Sequence, residues 1–541
     1  MPIRALNATI LPAKCNSILA APDVLLSSTW EYRVRNRFQR IHCILHFMGN
    51  LLGLLGLILL SPLVVIFLHW GRQGDGWHTV IAFVVPALIS FWTGLALRTI
   101  FKRRPLDMTA SMLICALSWL VASALGAVPF VIGIRASYLD GYFEAMSGFT
   151  TTGITVFSGL DHMPRSIILW RALTQWLGGT GILSFFLAVT YRGGGAHHLF
   201  GAESHKISSR RPAPGLFSTV KILWGIYAGF TLASIAVLVL EGMPIFDSVC
   251  HTFTGLSTGG FSPYDDSIAH YSLTNHPHAA LIEYTVTFVM LLGGINFLVH
   301  FRVLTRDVKA LWDNIEMRYW WRLIVAFTLL ILLDHLRKTG VLAVVLSRPA
   351  DLNFAGLEQS FRRTVFQVVS ILTTTGFATQ DINTSFFPAF SKQLFLVMMV
   401  IGGCVGSTGG GIKVMRVAIL NRLMLRELFK LRIPRRASSC LIIDGKPVPD
   451  GEVHRVAALF FTWMSLLLVG GAITALFSNQ NAWQSFSGMF SALGNIGPCY
   501  ISVQDMIEIH PVVKVTYIFG MLAGRLEILP VLLLFSRKAW T

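Results

Sequence analysis

Charge is scarce in this chain. Lys, Arg, Asp and Glu make up 13% of its 541 residues, where a soluble domain carries about 25%, and mean hydropathy is +0.62. An ordinary soluble globular domain is excluded. The seven cysteines, Cys15, Cys43, Cys115, Cys250, Cys404, Cys440 and Cys499, are scattered without a CxxC pair, which argues against a disulfide framework or a cysteine zinc site. No early apolar stretch follows the N-terminus, so no cleavable signal peptide is expected. Rossmann and Walker motifs are missing. The nearest approach is "GGCVGSTGGGIK", Gly402 to Lys413, and its spacing fails. Ile412 separates Gly411 from Lys413, and Val414 stands where a phosphate-site hydroxyl belongs. Nor does a nucleophile–base pair or metal cluster stand out, so no enzyme and no bound cofactor are expected.

Long apolar runs are abundant. A spanning helix needs about 20 mostly apolar residues. Ten segments approach or meet that: 41–69, 78–100, 109–134, 165–190, 216–240, 281–301, 319–335, 392–420, 453–477 and 512–536. The seventh is the weakest, because Asp334, His335 and Arg337 crowd its end. The chain reads as an all-α polytopic membrane protein. Residues 1–40 read as a basic, partly disordered arm.

The formal net charge is +17. In a soluble protein it would suggest nucleic acid; here the excess of Lys and Arg on cytoplasmic loops accounts for it, and no nucleic-acid partner is expected. Arg98 ends the second span, and Lys102, Arg103 and Arg104 follow it. Residues 192–221 carry Arg192, Lys206, Arg210, Arg211 and Lys221, and 413–436 carries eight Lys/Arg against Glu427 alone. These loops are expected in the cytoplasm, with both termini. The opposite loops 262–280 and 478–511 hold no Lys or Arg. Arg337, Lys338, Arg348, Arg362 and Arg363 disagree, falling in a loop assigned outside.

A signal recurs four times: "SGFTTTGITV" from Ser147, "TGLSTGGFSP" from Thr254, "SILTTTGFAT" from Ser370 and "SALGNIGPCY" from Ser491. The copies align on Gly153, Gly260, Gly376 and Gly497, at intervals of 107, 116 and 121 residues. Each follows an amphipathic stretch of about a dozen residues and precedes a small-residue pair in the next span. Those pairs are Gly178-Gly179, Gly293-Gly294, Gly402-Gly403 and, degraded, Gly524-Arg525. The unit is therefore helix, pore helix, glycine-bearing loop, helix. A dehydrated cation wants oxygen on all sides, and extended backbone from four loops on one axis supplies it. Such backbone is tolerated at membrane depth only when buried or lining a cavity. Single Thr-Gly clusters would pass as turns; four in register do not.

These motifs closely resemble the TrkH/TrkG–KtrB–HKT superfamily of potassium transporters, over nearly everything from residue 41 onward. "TTTG", "STGGF", "TTTGF" and "GNIGP" stand in the family's order, and "TQWLGGTGI", "MLLGGINF" and "GRLEI" follow its patterns. The two-helix unit before the first repeat and "GGCVGSTGGGIKV" are similar to the TrkH type. The chain departs from it in the basic arm and in Ile154 and Cys499.

The resemblance implies four K⁺-channel-like repeats around a central pore: 41–104 as a leading unit, 105–195 as repeat 1, 212–305 as repeat 2, 316–436 as repeat 3 and 450–541 as repeat 4. It implies K⁺ uptake across the cytoplasmic (inner) membrane, with a Na⁺ or mixed-cation transporter as the alternative. The implied filter comprises Thr151, Thr152, Gly153, Ile154; Thr258, Gly259, Gly260, Phe261; Thr374, Thr375, Gly376, Phe377; and Asn495, Ile496, Gly497, Pro498. K⁺ ligands would come from Thr151, Thr152, Thr258, Gly259, Thr374, Thr375, Asn495 and Ile496.

It further implies that 402–413 is an intramembrane gate involving Gly406, Ser407, Thr408, Gly409, Gly410, Gly411, Lys413 and Arg525. Six glycines in twelve residues weaken a helix by about 1 kcal/mol each relative to alanine; a static kink is the other reading. A charge inside a span marks a site by default, and Arg525 either faces the loop or pairs with Glu527 or Glu283. A homodimer and a cytosolic TrkA-like nucleotide-binding ring are implied partners, with docking expected around 192–221, 302–322 and 422–446.

Weaker features remain open. His197 and His198 read as solvated. Asp247, Asp265 and Asp266 either concentrate cations or form a solvated rim. The stretch "RLMLRELFKLRIPRR" suits either lipid headgroups or a partner.

Overall fold

A computed structural model describes residues 22–72, 74–102, 108–192, 216–341, 354–432 and 440–540. Expectations for Arg103, Arg104, His197, His198, Lys206, Arg210, Arg211, Arg348, Arg435 and Arg436 fall outside them. The chain is a helical, polytopic membrane protein. Among the described residues six helices are long and apolar enough to cross a membrane, or seven with one bent pair. Exposed Leu54, Phe67, Trp92, Leu232, Phe288, Val325 and Phe461 sit on those helices, as lipid-facing side chains should.

Helices in lipid gain little from hiding apolar surface and associate through close packing at small residues. The leading pair, Pro22–Leu59 and Trp77–Ile100, does this. A Cβ on Gly94 would lie 2.6 Å from the Gly53 nitrogen, and one on Gly56 would lie 2.8 Å from the Ala87 carbonyl oxygen. The first helix begins at Pro22, so the second half of the expected arm is helical.

The order long helix, short helix, loop, helix then recurs four times. The short pore helices are Tyr138–Phe149, Ile245–Leu256, Phe354–Leu372 and Ala482–Gly494. The first and last are started by side-chain caps, Ser137 on the Asp140 N–H and Asn481 on the Gln484 N–H. The third is longer than the dozen residues its sequence signal suggests. It carries Arg362 and Arg363, two of the cations that conflicted with the charge pattern. Arg362 pairs with buried Glu283 at 2.8 Å, and Arg363 stacks on Phe386, so both are used inside the protein.

Of the ten expected spans, 165–190 is helix Arg165–Arg192, made less apolar by Arg165, Arg171 and Gln175. Three others are broken. Segment 281–301 divides into Ala279–Gly294 and Phe297–Leu304, bent by 106°. Asn296 causes the restart: its side chain accepts the Leu298 N–H, capping the second piece. Segment 392–420 divides into Ala389–Val400 and Val414–Lys430. Segment 512–536 divides into Pro511–Arg525 and Leu529–Leu534, across left-handed Glu527 and Ile528.

Among the described residues one element is not helical. Strands Leu441–Ile443 and Lys446–Val448 form a hairpin. Its two-residue turn, Asp444-Gly445, has φ of 44° and 76°, as an Asp-Gly hairpin turn requires. Leu441, Ile443 and Val448 pack against Ile315, Val405 and Met415.

Candidate functional site

Each pore helix ends in the same way. The residue two before the aligned glycine is left-handed: Thr151 at φ 51°, Thr258 at 56°, Thr374 at 59° and Asn495 at 54°. Its N–H and the next one turn back onto the helix. Thr152 N–H reaches Ser147 O at 2.8 Å, Gly259 reaches Thr254 at 2.7 Å, Thr375 reaches Ser370 at 2.8 Å and Ile496 reaches Ser491 at 3.0 Å. This six-to-one closure is a Schellman end, where Gly or Asn is usual. Three threonines hold it instead, in a conformation that strains β-branched residues.

The aligned glycines are left-handed too, Gly153 at 83°, Gly260 at 79°, Gly376 at 88° and Gly497 at 108°. Each presses on the next loop. A Cβ on Gly153 would lie 2.2 Å from Gly259 O, on Gly260 2.1 Å from Thr375 O, on Gly376 2.0 Å from Ile496 O, and on Gly497 3.1 Å from Thr152 O. Loop one meets two, two meets three, three meets four, and four returns to one. The sixteen residues singled out from sequence are thus brought into one closed ring. Ile154, Phe261 and Phe377 bury their side chains behind it, and Pro498 packs beside Gly376.

Side chains brace the ring from behind. Gln175 donates to Gly259 O at 2.7 Å and accepts the Phe261 N–H at 3.0 Å. Buried Arg171 and Glu144 pair at 2.8 Å. The carboxylate accepts the Val156 N–H, and the guanidinium donates to Ser262 O and lies over Phe261. The sequence reading missed Gln175, Arg171 and Glu144; polar groups inside an apolar span were the available signal for the first two.

The segment 401–413 lies against the ring. Thr408 Oγ1 meets Thr258 Oγ1 at 3.2 Å and donates to Leu256 O and Gly293 O. Gly410 N–H donates to Thr374 Oγ1 at 2.8 Å, and a Cβ on Gly410 would lie 2.6 Å from the Asn495 Cβ. Gly406 and Gly411 are left-handed. Lys413 donates to Gly409 O. Ser407 bonds Cys404 O and receives the Gly409 N–H.

Arg525 is buried beneath. Its guanidinium donates to Thr408 O and, at 2.9 Å, to Gly178 O. The ion-pair reading is overturned: Glu527 is held by Arg416 and Glu283 by Arg362. The segment thereby touches elements of repeats 2, 3 and 4, and Arg525 links it to Gly178 of repeat 1.

Of the acidic residues Asp247 departs from the solvated-rim reading, while Asp265 and Asp266 are exposed as that reading expects. Asp247 is buried and accepts the Tyr264 and Tyr271 hydroxyls at 2.7 and 3.2 Å. Asp265 accepts the N–H groups of Gly159 and Leu160. Asp266 is exposed.

Chemically the ring offers neutral oxygens. Among the described residues no cluster of His, Cys, Asp or Glu could hold a metal ion, and Thr151 Oγ1 and Asn495 Oδ1 are buried without a donor. Uncharged carbonyls and hydroxyls in a ring suit a partly dehydrated monovalent cation.

The comparisons agree with this geometry. A family model described as TrkH, cation transport protein, matches residues 78–540. The Trk system potassium uptake protein TrkH of Vibrio parahaemolyticus is 32% identical, over 92% of this chain and 99% of its own length. That of Salmonella typhimurium is 32% identical, over 83% and 91%. The crystal structure of the potassium transporter TrkH from Vibrio parahaemolyticus superposes with a TM-score of 0.79 at 29% identity, covering 93% of this chain and all of that one. The chain belongs to the TrkH family of cation transport proteins.

Proposed function

We propose that this protein is the K⁺-translocating subunit of an uptake system in the cytoplasmic membrane, with its basic loops and both termini inside. Backbone oxygens of Thr151–Ile154, Thr258–Phe261, Thr374–Phe377 and Asn495–Pro498 replace the ion's water shell. The observation that carries this reading is the cyclic contact of each left-handed glycine with the next loop's carbonyl. It holds four neutral oxygen-bearing loops at fixed spacing, which a K⁺ site needs. The names of the relatives point the same way.

Segment 402–413 is the gate. It lies across the inner end of the ring, pinned by Arg525. A permeating ion would meet that guanidinium, and at an effective dielectric near 20 two unit charges about 4 Å apart repel by roughly 4 kcal/mol. Opening requires the loop to leave Thr258, Thr374 and Arg525.

Regulation belongs to a cytosolic partner, because this chain carries no nucleotide motif. Its docking face would include 302–322, where Arg302 pairs with Asp307 and Asp313, and the 441–448 hairpin. The chain itself would pair as a homodimer.

The test is ⁸⁶Rb⁺ uptake into liposomes holding the purified chain, with K⁺ or Na⁺ as competitor. K⁺ should compete strongly and Na⁺ weakly. Equal competition would move the assignment to a mixed-cation transporter.

A further inference from the structure

We propose that Glu316 is the strut that holds the intramembrane loop closed, and that the cytoplasmic hairpin sets the position of that strut. The inference rests on reading 402–413 as the gate. Glu316 is buried in the first turn of helix Ile315–Lys338. A carboxylate there is costly unless it is used. Its Oε1 accepts the Val405 N–H at 2.7 Å. The Met415 backbone and the charge of Lys413 face the same carboxylate. One side chain therefore gathers both ends of the loop. Lys413 continues the chain of contacts to Gly409 O, at the loop's centre.

The residue before Glu316 ties the strut to the hairpin. Asp444, in the hairpin turn, accepts the Ile315 N–H at 3.0 Å and pairs with Arg318 at 3.0 Å. Hairpin residues Leu441, Ile443 and Val448 share one apolar cluster with Ile315, Val405 and Met415. A partner that displaces the hairpin would move the helix start, and with it the acceptor of the Val405 N–H. Packed contacts of this kind transmit small shifts because they cannot stretch. Glu316 is a positioning residue: it acts on the ion only through the loop.

Two readouts test this together, hydrogen–deuterium exchange of the peptide covering 402–413 and K⁺ flux in liposomes. Glu316→Ala should speed exchange there several-fold and raise flux. Glu316→Gln, which keeps an acceptor oxygen, should restore much of the protection. Asp444→Ala touches no loop atom, yet should also speed exchange in 402–413. Folded Glu316→Ala protein with wild-type exchange in that peptide would overturn the strut. Asp444→Ala speeding exchange only near 315–320 would overturn the hairpin link. Faster exchange with unchanged flux would uphold the strut and instead contradict the gate reading on which it rests.

Discussion

Gly153 has no space for a side chain. Any Cβ there collides with the Gly259 carbonyl, and its φ of 83° strains every residue but glycine. Gly153→Ser should shift the first two loops and lower the preference for K⁺ over Na⁺, read as competition in liposome uptake; unchanged selectivity would count against the ring as filter. Arg171 acts behind it. Removing one partner of a buried pair strands the other, at a cost of about 3–5 kcal/mol. Arg171→Met should therefore lower the melting temperature markedly, and Glu144→Gln combined with it should recover part of the loss. A melting temperature unmoved by Arg171→Met would mean that Glu144 finds another partner. The glycines were legible in sequence because they repeat at aligned positions. Arg171 and Gln175 were marked only as polar groups in an apolar span and Glu144 not at all, and the partners of all three are backbone groups or residues on other elements that only folding brings near.

At the scale of elements, helix breaks dominate. Glycine density disclosed the break in 392–420. The breaks in 281–301 and 512–536 carry no such density. They depend on one capping asparagine, Asn296, and on left-handed Glu527 and Ile528, whose backbone geometry no residue pattern announces. The hairpin was missed although Asp444-Gly445 is its signal, because a three-residue strand on either side is too short to show a period. Loop 402–413 holds its place by Thr408, Gly410 and contacts from Lys413 and Arg525. Deleting several residues from Gly406–Gly411 should raise K⁺ flux in the absence of any partner, and Arg525→Ala should raise it too. Folded variants conducting no faster than wild type would place the constriction elsewhere.

Across the whole molecule, four weakly similar sequence units make one closed ring, and each unit is incomplete alone. The four-fold pattern was visible in sequence because every copy must meet the same backbone demand, a left-handed residue followed two later by a left-handed glycine. How the copies meet was not visible, since it depends on close approach between segments more than 100 residues apart. The proposed division of labour also belongs to this scale: in it this chain conducts and a partner senses. The purified protein should therefore show no specific binding of ATP or NADH at physiological concentrations in a calorimetric titration. Saturable binding would contradict the division.

The ring as ion site is the central claim, and anomalous diffraction from crystals of this protein grown in Rb⁺ tests it most directly. A peak is expected enclosed by the backbone oxygens of the loops bearing Gly153, Gly260, Gly376 and Gly497. Protein that transports Rb⁺ in liposomes, yet shows its peaks elsewhere and none within the ring, would contradict it.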